Sequence, residues 1–135
     1  MIAGIGTDIV KVNRIQESLH RYGDKFARRI LSETEMQSFL QSGKKSHFLA
    51  KRFAAKEAAA KAMGTGFRGG LSLRDIEVTN NDHGRPLLRF SGIAHSLLLQ
   101  RNINRWHISL TDEIEYAVAF VVLESEHISQ NSSIL

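Results

Sequence analysis

Lys45-Ser46-His47-Phe48-Leu49-Ala50-Lys51-Arg52-Phe53-Ala54-Ala55-Lys56-Glu57-Ala58-Ala59-Ala60-Lys61-Ala62-Met63, closed by Gly64, is the longest helical signal in the chain. It is Ala-rich and contains neither Pro nor Gly, so nothing inside it breaks a helix. Gly64 supplies the residue that most readily adopts the left-handed conformation ending one. At about 100° per residue, Phe48, Leu49, Phe53, Ala60 and Met63 form an apolar arc. Ala50, Ala54, Ala58 and Ala62 form a second face of small residues, with Glu57 and Lys61 between the two. A helix with two apolar faces belongs in the middle of a fold.

Outward from that helix, the signals alternate between helix and strand. On the N-terminal side, Ile2 to Val10 reads as an apolar strand containing Gly4, Gly6 and Asp8. Asn13–Tyr22 and Asp24–Leu31 read as short helices. Ser32-Glu33-Thr34-Glu35 is a capping box that starts a third. On the C-terminal side, Gly64–Gly70 reads as a loop. Asp75–Asn80 and Pro86–Phe90 read as a hairpin across the Asn81–Gly84 turn. Ser91 is expected to cap a helix running to Leu99. Trp106–Thr111 and Tyr116–Leu123 read as strands joined by a short turn at Asp112-Glu113. The expected fold is α+β: a small, mostly antiparallel sheet packed against a long central helix and shorter helices. One domain is expected over residues 1–125, with residues 126–135 a polar tail that frays.

Composition narrows the chemistry. Among 135 residues there is no Cys, which removes disulfides, Cys-ligated zinc, iron–sulfur clusters and a cysteine nucleophile. No apolar run approaches the roughly 18 residues of a membrane helix, and the N-terminus lacks a basic signal region. A cytoplasmic protein is expected. There are 18 Lys+Arg against 14 Asp+Glu, a net charge of +4, and the pI is about 9.7. That balance suits an anionic partner: nucleic acid, a phosphorylated cofactor or an acidic protein.

Asp8 ends an apolar strand, and Glu57 sits between two apolar helix faces, where an unpaired carboxylate is costly. Together the two could hold a hard cation, since Mg²⁺ commonly takes one or two carboxylates plus waters and phosphates. Simpler readings are an i,i+4 Glu57–Lys61 pair and an Asp8 that caps the following helix. Lys51, Arg52, Lys56 and Lys61 form one basic group, on the long helix. Lys11, Arg14, Arg21, Lys25, Arg28 and Arg29 form another, on the first helices. Each could equally be a solvated face. The Gly64–Gly70 loop is a weak phosphate-loop signal, being neither a Walker nor a dinucleotide pattern. His107 alternates with Trp106 and Ile108 and so faces away from them; it reads as a half-exposed strand histidine, or as a base or phosphate partner. Ser109, Thr111 and Asp112 follow His107, but order alone shows no Ser-His-Asp relation.

Four segments, in order, carry a family resemblance. They are Gly4-Ile5-Gly6-Thr7-Asp8-Ile9-Val10, then Arg52-Phe53-Ala54-Ala55-Lys56-Glu57-Ala58-Ala59-Ala60-Lys61-Ala62 with Gly64-Thr65-Gly66, then Gly84-Arg85-Pro86, and finally Trp106-His107-Ile108-Ser109-Leu110-Thr111. They resemble the motifs of bacterial holo-acyl-carrier-protein synthases, the small group of 4′-phosphopantetheinyl transferases. Asp112 stands where many members have a second His.

The resemblance implies transfer of 4′-phosphopantetheine from coenzyme A to a serine of apo-acyl carrier protein, releasing adenosine 3′,5′-bisphosphate, in fatty acid biosynthesis. It implies Mg²⁺ on Asp8 and Glu57, with Lys61 at the pyrophosphate. It also implies a trimer with coenzyme A in clefts between subunits. Arg52, Lys56, Lys61, Gly64, Gly66, Pro86 and His107 are the expected coenzyme A-binding residues. Arg14, Arg21, Lys25 and Arg28 would receive the acidic carrier protein. Glu57, through a water, is the first candidate for the base that takes the serine proton, and His107 is the second. Two rival readings are a basic nucleic-acid-binding α+β module and a non-catalytic scaffold. The former lacks an aromatic pair on neighbouring strands; the latter would not need Asp8, Glu57 and Lys61 together.

Overall fold

A computed structural model describes residues 1–126. The chain runs β1 (Ile2–Lys11), α1 (Val12–Tyr22), α2 (Asp24–Ile30), α3 (Glu33–Gln41), α4 (Lys45–Met63), a 3₁₀ turn (Leu73–Asp75), β2 (Ile76–Asn80), β3 (Pro86–Phe90), α5 (Gly92–Gln100), β4 (Ile103–Asp112) and β5 (Tyr116–Ser125). This is the expected α+β arrangement. The strands are all antiparallel but form two sheets: a three-stranded one in the order β1-β5-β4, and a separate β2-β3 hairpin. Trp106 joins them from β4. Its Nε1 donates to the Leu88 carbonyl at 2.8 Å, and its ring meets Phe90 edge-on at 4.9 Å. The expected tail lies outside the described residues apart from Glu126, which accepts from Asn104 Nδ2 at 2.8 Å.

Local chemistry explains most element ends. Ser32 and Glu35 make both bonds of a capping box at the start of α3. Gly64 ends α4 in the left-handed conformation, φ 78°, and donates to the Lys61 carbonyl. Ser91 precedes α5 but makes no side-chain cap bond; its hydroxyl turns to the Asp75 carbonyl instead. Asp8 caps nothing, because β1 continues to Lys11 and α1 has no side-chain cap.

The long helix is more buried than two apolar arcs would make it. It packs on β1 and β5, and also against α1, α2, α3 and β2. Leu49, Ala50, Ala54, Ala55, Ala58 and Ala59 are fully buried, and so is Lys56. The contact with β1 is backbone on backbone. A Cβ on Gly4 would overlap the Ala62 carbonyl oxygen, and one on Gly6 would overlap that of Ala58 and come within 2.7 Å of the Ala62 nitrogen. The two glycines and the alanines of α4 thus let strand and helix approach more closely than any larger pair could. The opposite face of the sheet is apolar yet exposed: Ile5, Ile9 and Phe120 are open, and Val118 and Val122 are half-buried.

Candidate functional site

The close approach of β1 and α4 brings Asp8, Glu57 and Lys61 together. On β1, Gly4, Gly6, Asp8 and Val10 share the helix-facing side, opposite Leu123, Val121, Ala119 and Ala117 of β5. Asp8 therefore points to the helix side just beyond the glycines. Lys61 Nζ lies 2.9 Å from Asp8 Oδ1 and donates to the Thr7 carbonyl at 3.1 Å. Its partner is thus Asp8 on the strand and not Glu57 one turn away. Glu57 is half-buried, and its carboxyl is held above the ordinary range, first by burial and then by the negative charge of Asp8, with Lys61 opposing. A second carboxylate raising the proton affinity of Glu57 is the sign of a place that accepts a cation. Asp8 and Glu57 offer a donor set of the kind Mg²⁺ takes, with phosphates and water filling its remaining positions. No cluster of three or more His, Cys, Asp or Glu able to hold a metal occurs among the described residues.

His107 lies elsewhere. It pairs with Val122, whereas Asp8 shares a row with Ala119 and Leu110, so His107 is on the opposite face of the sheet from the carboxylates. The structure does not bring it to Asp8, Glu57 or Lys61 within one chain. It does bring His107 to Pro86: both line a groove with Asn81, Arg85, Leu88 and Trp106. His107 Nε2 lies 2.6 Å from Glu124 Oε2. That hydrogen bond is the main reason the Glu124 carboxyl sits below the ordinary range.

Lys56 is placed where no ligand reaches it, which corrects the expectation that it binds coenzyme A. Its side chain is fully buried, and Nζ donates to Glu35 Oε1 at 2.5 Å, the Ile30 carbonyl at 2.7 Å and the Leu73 carbonyl at 3.0 Å. An ammonium has three donors, and here all are used. Burial pulls Lys56 below the usual lysine range, against the attraction of Glu35. Glu35 is the hub. It also accepts from the backbone of Ser32 and Val78, both at 2.9 Å. The capping box was legible in the sequence; the hub was not, because its other partners come from α4 and β2.

Arg52 turns to the same side. Its Nε lies 3.5 Å from Glu35 Oε2 without a hydrogen bond, and its guanidinium covers the Phe48 ring at 4.4 Å. It lines a groove with Thr34, Ser38, Phe48 and Asn80. Gly64 and Gly66 open the loop that leaves α4 one turn beyond Lys61, both at positive φ. Arg101 Nη1 donates to the Met63 carbonyl at that helix end. Arg14 and Arg21 on α1, and Lys25 and Arg28 on α2, are exposed, and none is ion-paired among the described residues.

Comparison with known proteins gives the family. The 4′-phosphopantetheinyl transferase superfamily model matches residues 4–121. The holo-[acyl-carrier-protein] synthase of Halorhodospira halophila is 54% identical over 123 residues, covering 91% of this chain and 98% of that protein. The crystal structure of holo-[acyl-carrier-protein] synthase from Neisseria meningitidis superposes with a TM-score of 0.88 at 45% identity, covering 93% of this chain and all of that one. The Bacillus anthracis synthase, solved in complex with coenzyme A (3′,5′-ADP), superposes with a TM-score of 0.78 at 43% identity, covering 93% of this chain and 99% of that one. By sequence and by fold, the chain belongs to the 4′-phosphopantetheinyl transferase superfamily.

Proposed function

We propose that this protein transfers 4′-phosphopantetheine from coenzyme A to a serine of an acidic apo-acyl carrier protein, in a Mg²⁺-dependent reaction serving fatty acid biosynthesis in the cytoplasm. The observation that carries the reading is the convergence of Asp8, Glu57 and Lys61 at the contact of β1 with α4. The serine oxygen forms a new bond to the phosphorus nearest pantetheine. The P–O–P bond breaks, and adenosine 3′,5′-bisphosphate leaves with the electron pair. Such a transfer needs charge neutralisation and positioning more than covalent help from the protein. Asp8 and Glu57 would hold the Mg²⁺, which supplies charge neutralisation at the pyrophosphate when bound. Lys61, more than half exposed while bonded to Asp8, can turn its ammonium toward the leaving group's growing charge. Glu57, through a water, is the first candidate to accept the serine proton, and His107 is the alternative base.

We read residues 1–125 as one domain that assembles as a homotrimer. Ile5, Ile9, Val118, Phe120 and Val122 supply an apolar sheet face of the kind interfaces cover. His107 lies on that same face. A neighbouring copy is the route by which a His107 and its groove would meet the carboxylate site, with coenzyme A between them. Arg14, Arg21, Lys25 and Arg28 form the carrier-protein surface, and Arg52, Gly64, Gly66 and Pro86 contribute to coenzyme A binding.

The test is the intact mass of purified apo-acyl carrier protein after incubation with this protein, coenzyme A and Mg²⁺, with and without EDTA. The gain of one phosphopantetheine, abolished by EDTA, is expected. No gain with several apo-carrier proteins from folded enzyme would refute the reading.

A further inference from the structure

The outer face of the sheet carries a second charged arrangement, apart from the carboxylate site. Val122 and Glu124 share that face of β5, and His107 sits beside Val122 on β4, so Glu124 is the diagonal cross-strand neighbour of His107. The backbone around Glu124 is irregular on both sides. Glu124 faces Ile2 on β1 and Arg105 on β4, and each of those strands shifts register next to it, between Ile2 and Gly4 and between Ile103 and Arg105. Such irregularities re-aim side chains. Of the nitrogen-bearing side chains around Glu124, His107 is the near one: Nε2 lies at 2.6 Å, whereas Arg105 Nε is at 3.9 Å from the same oxygen. The Met1 ammonium is engaged with the Ser125 carbonyl at 3.0 Å.

We propose that Glu124 is a positioning residue: it holds the His107 ring through Nε2 and leaves Nδ1 as the nitrogen open to a substrate in the Pro86–Trp106 groove. A carboxylate can only accept, so Nε2 must carry the proton. The neutral ring then presents Nδ1 as an acceptor, and the protonated ring presents it as a charged donor. Either form is pre-oriented, because the Nε2 bond and the rigid strand pair fix the ring plane. Glu124 thereby selects the tautomer, as a carboxylate behind a working histidine does elsewhere. This role rests on the function proposed above, in which His107 meets coenzyme A or the serine proton.

The experiment uses full-length protein in four forms: wild type, Glu124→Ala, His107→Ala and the double variant. In ¹⁵N-histidine-labelled protein at a pH where the ring is neutral, His107 is assigned by its loss in His107→Ala. The expected wild-type signature is the Nε2–H tautomer, relaxing to a mixture in Glu124→Ala. An unchanged tautomer would overturn the proposal. In transfer assays, Glu124→Ala should lower kcat/KM for coenzyme A by about 5- to 10-fold. That loss should not exceed the loss in His107→Ala, and the double variant should match His107→Ala alone. Independent, multiplying losses would overturn the positioning role, and so would a silent His107→Ala in an active enzyme. Absence of transfer in the wild type would instead refute the functional reading, with the tautomer measurement still deciding the Glu124–His107 pairing.

Discussion

Lys56→Met separates a structural lysine from a ligand-binding one. Methionine keeps the unbranched length and removes the ammonium. Glu35, with a side chain only 1% exposed, then loses its 2.5 Å partner, and the carbonyls of Ile30 and Leu73 lose their donor. Breaking a buried pair from one side costs about 3–5 kcal/mol, because the remaining charge stays buried. Glu35 retains two backbone donors and the nearby Arg52, so the lower part of that range applies, about 3–4 kcal/mol. For a chain of this size, each kcal/mol lowers Tm by roughly 3–5 °C, a fall of about 10–20 °C in all. Calorimetry or circular dichroism measures it. Glu35→Gln combined with Lys56→Met removes the stranded charge and should recover part of the loss. Steady-state kinetics well below the new Tm should leave KM for coenzyme A within about 2-fold of wild type, less than one ordinary hydrogen bond is worth. A Tm near wild type together with a KM raised tenfold would refute the reasoning and restore Lys56 to the ligand.

Four further outcomes are expected. Gly6→Ala forces a Cβ into the α4 backbone at Ala58 and Ala62; it should cost at least about 2 kcal/mol in urea unfolding and lower kcat, and wild-type values would show that strand and helix can part freely. Asp8→Ala and Glu57→Ala should each abolish Mg²⁺-dependent transfer while leaving the circular dichroism melt close to wild type; turnover at the wild-type rate would remove the metal assignment. Arg14→Glu with Arg21→Glu should raise KM for the carrier protein more than KM for coenzyme A, with the wild-type carrier KM rising with salt; equal effects on both substrates would move the partner surface elsewhere. The Glu124 carboxyl, followed by ¹³C NMR, should titrate below the ordinary 4.5 and move up toward it in His107→Ala. Because the folded-state value is the depressed one, any stability the Glu124–His107 bond gives is present above the ordinary carboxylate range and is lost as pH falls through the folded-state value. An unmoved titration would mean that His107 is not the cause.

What could be read in advance divides along a physical line. The ends of α4 at Lys45 and Met63 and those of β3 at Pro86 and Phe90 were legible, because Gly64, Pro86 and Ser91 act within a few residues of themselves. The split into two sheets was not legible, because pairing depends on residues far apart in sequence, such as Gly6 with Val121. The same line runs through the site. Asp8, Glu57 and Lys61 stood out by type and spacing, but helical spacing offered Lys61 the wrong partner. The i,i+4 rule pairs it with Glu57, whereas the close strand–helix contact allowed by Gly4 and Gly6 puts Asp8 within 2.9 Å. Lys56 and Lys61 look alike in sequence, each a lysine in an alanine-rich helix beside Glu57. One faces Glu35 and is sealed; the other faces β1 and stays half in water. Alternation put His107 on the correct face, yet its partner depends on a diagonal across two strands and on irregularities that no local pattern marks. Residue types announced which groups could do chemistry here, and long-range packing decided which of them meet.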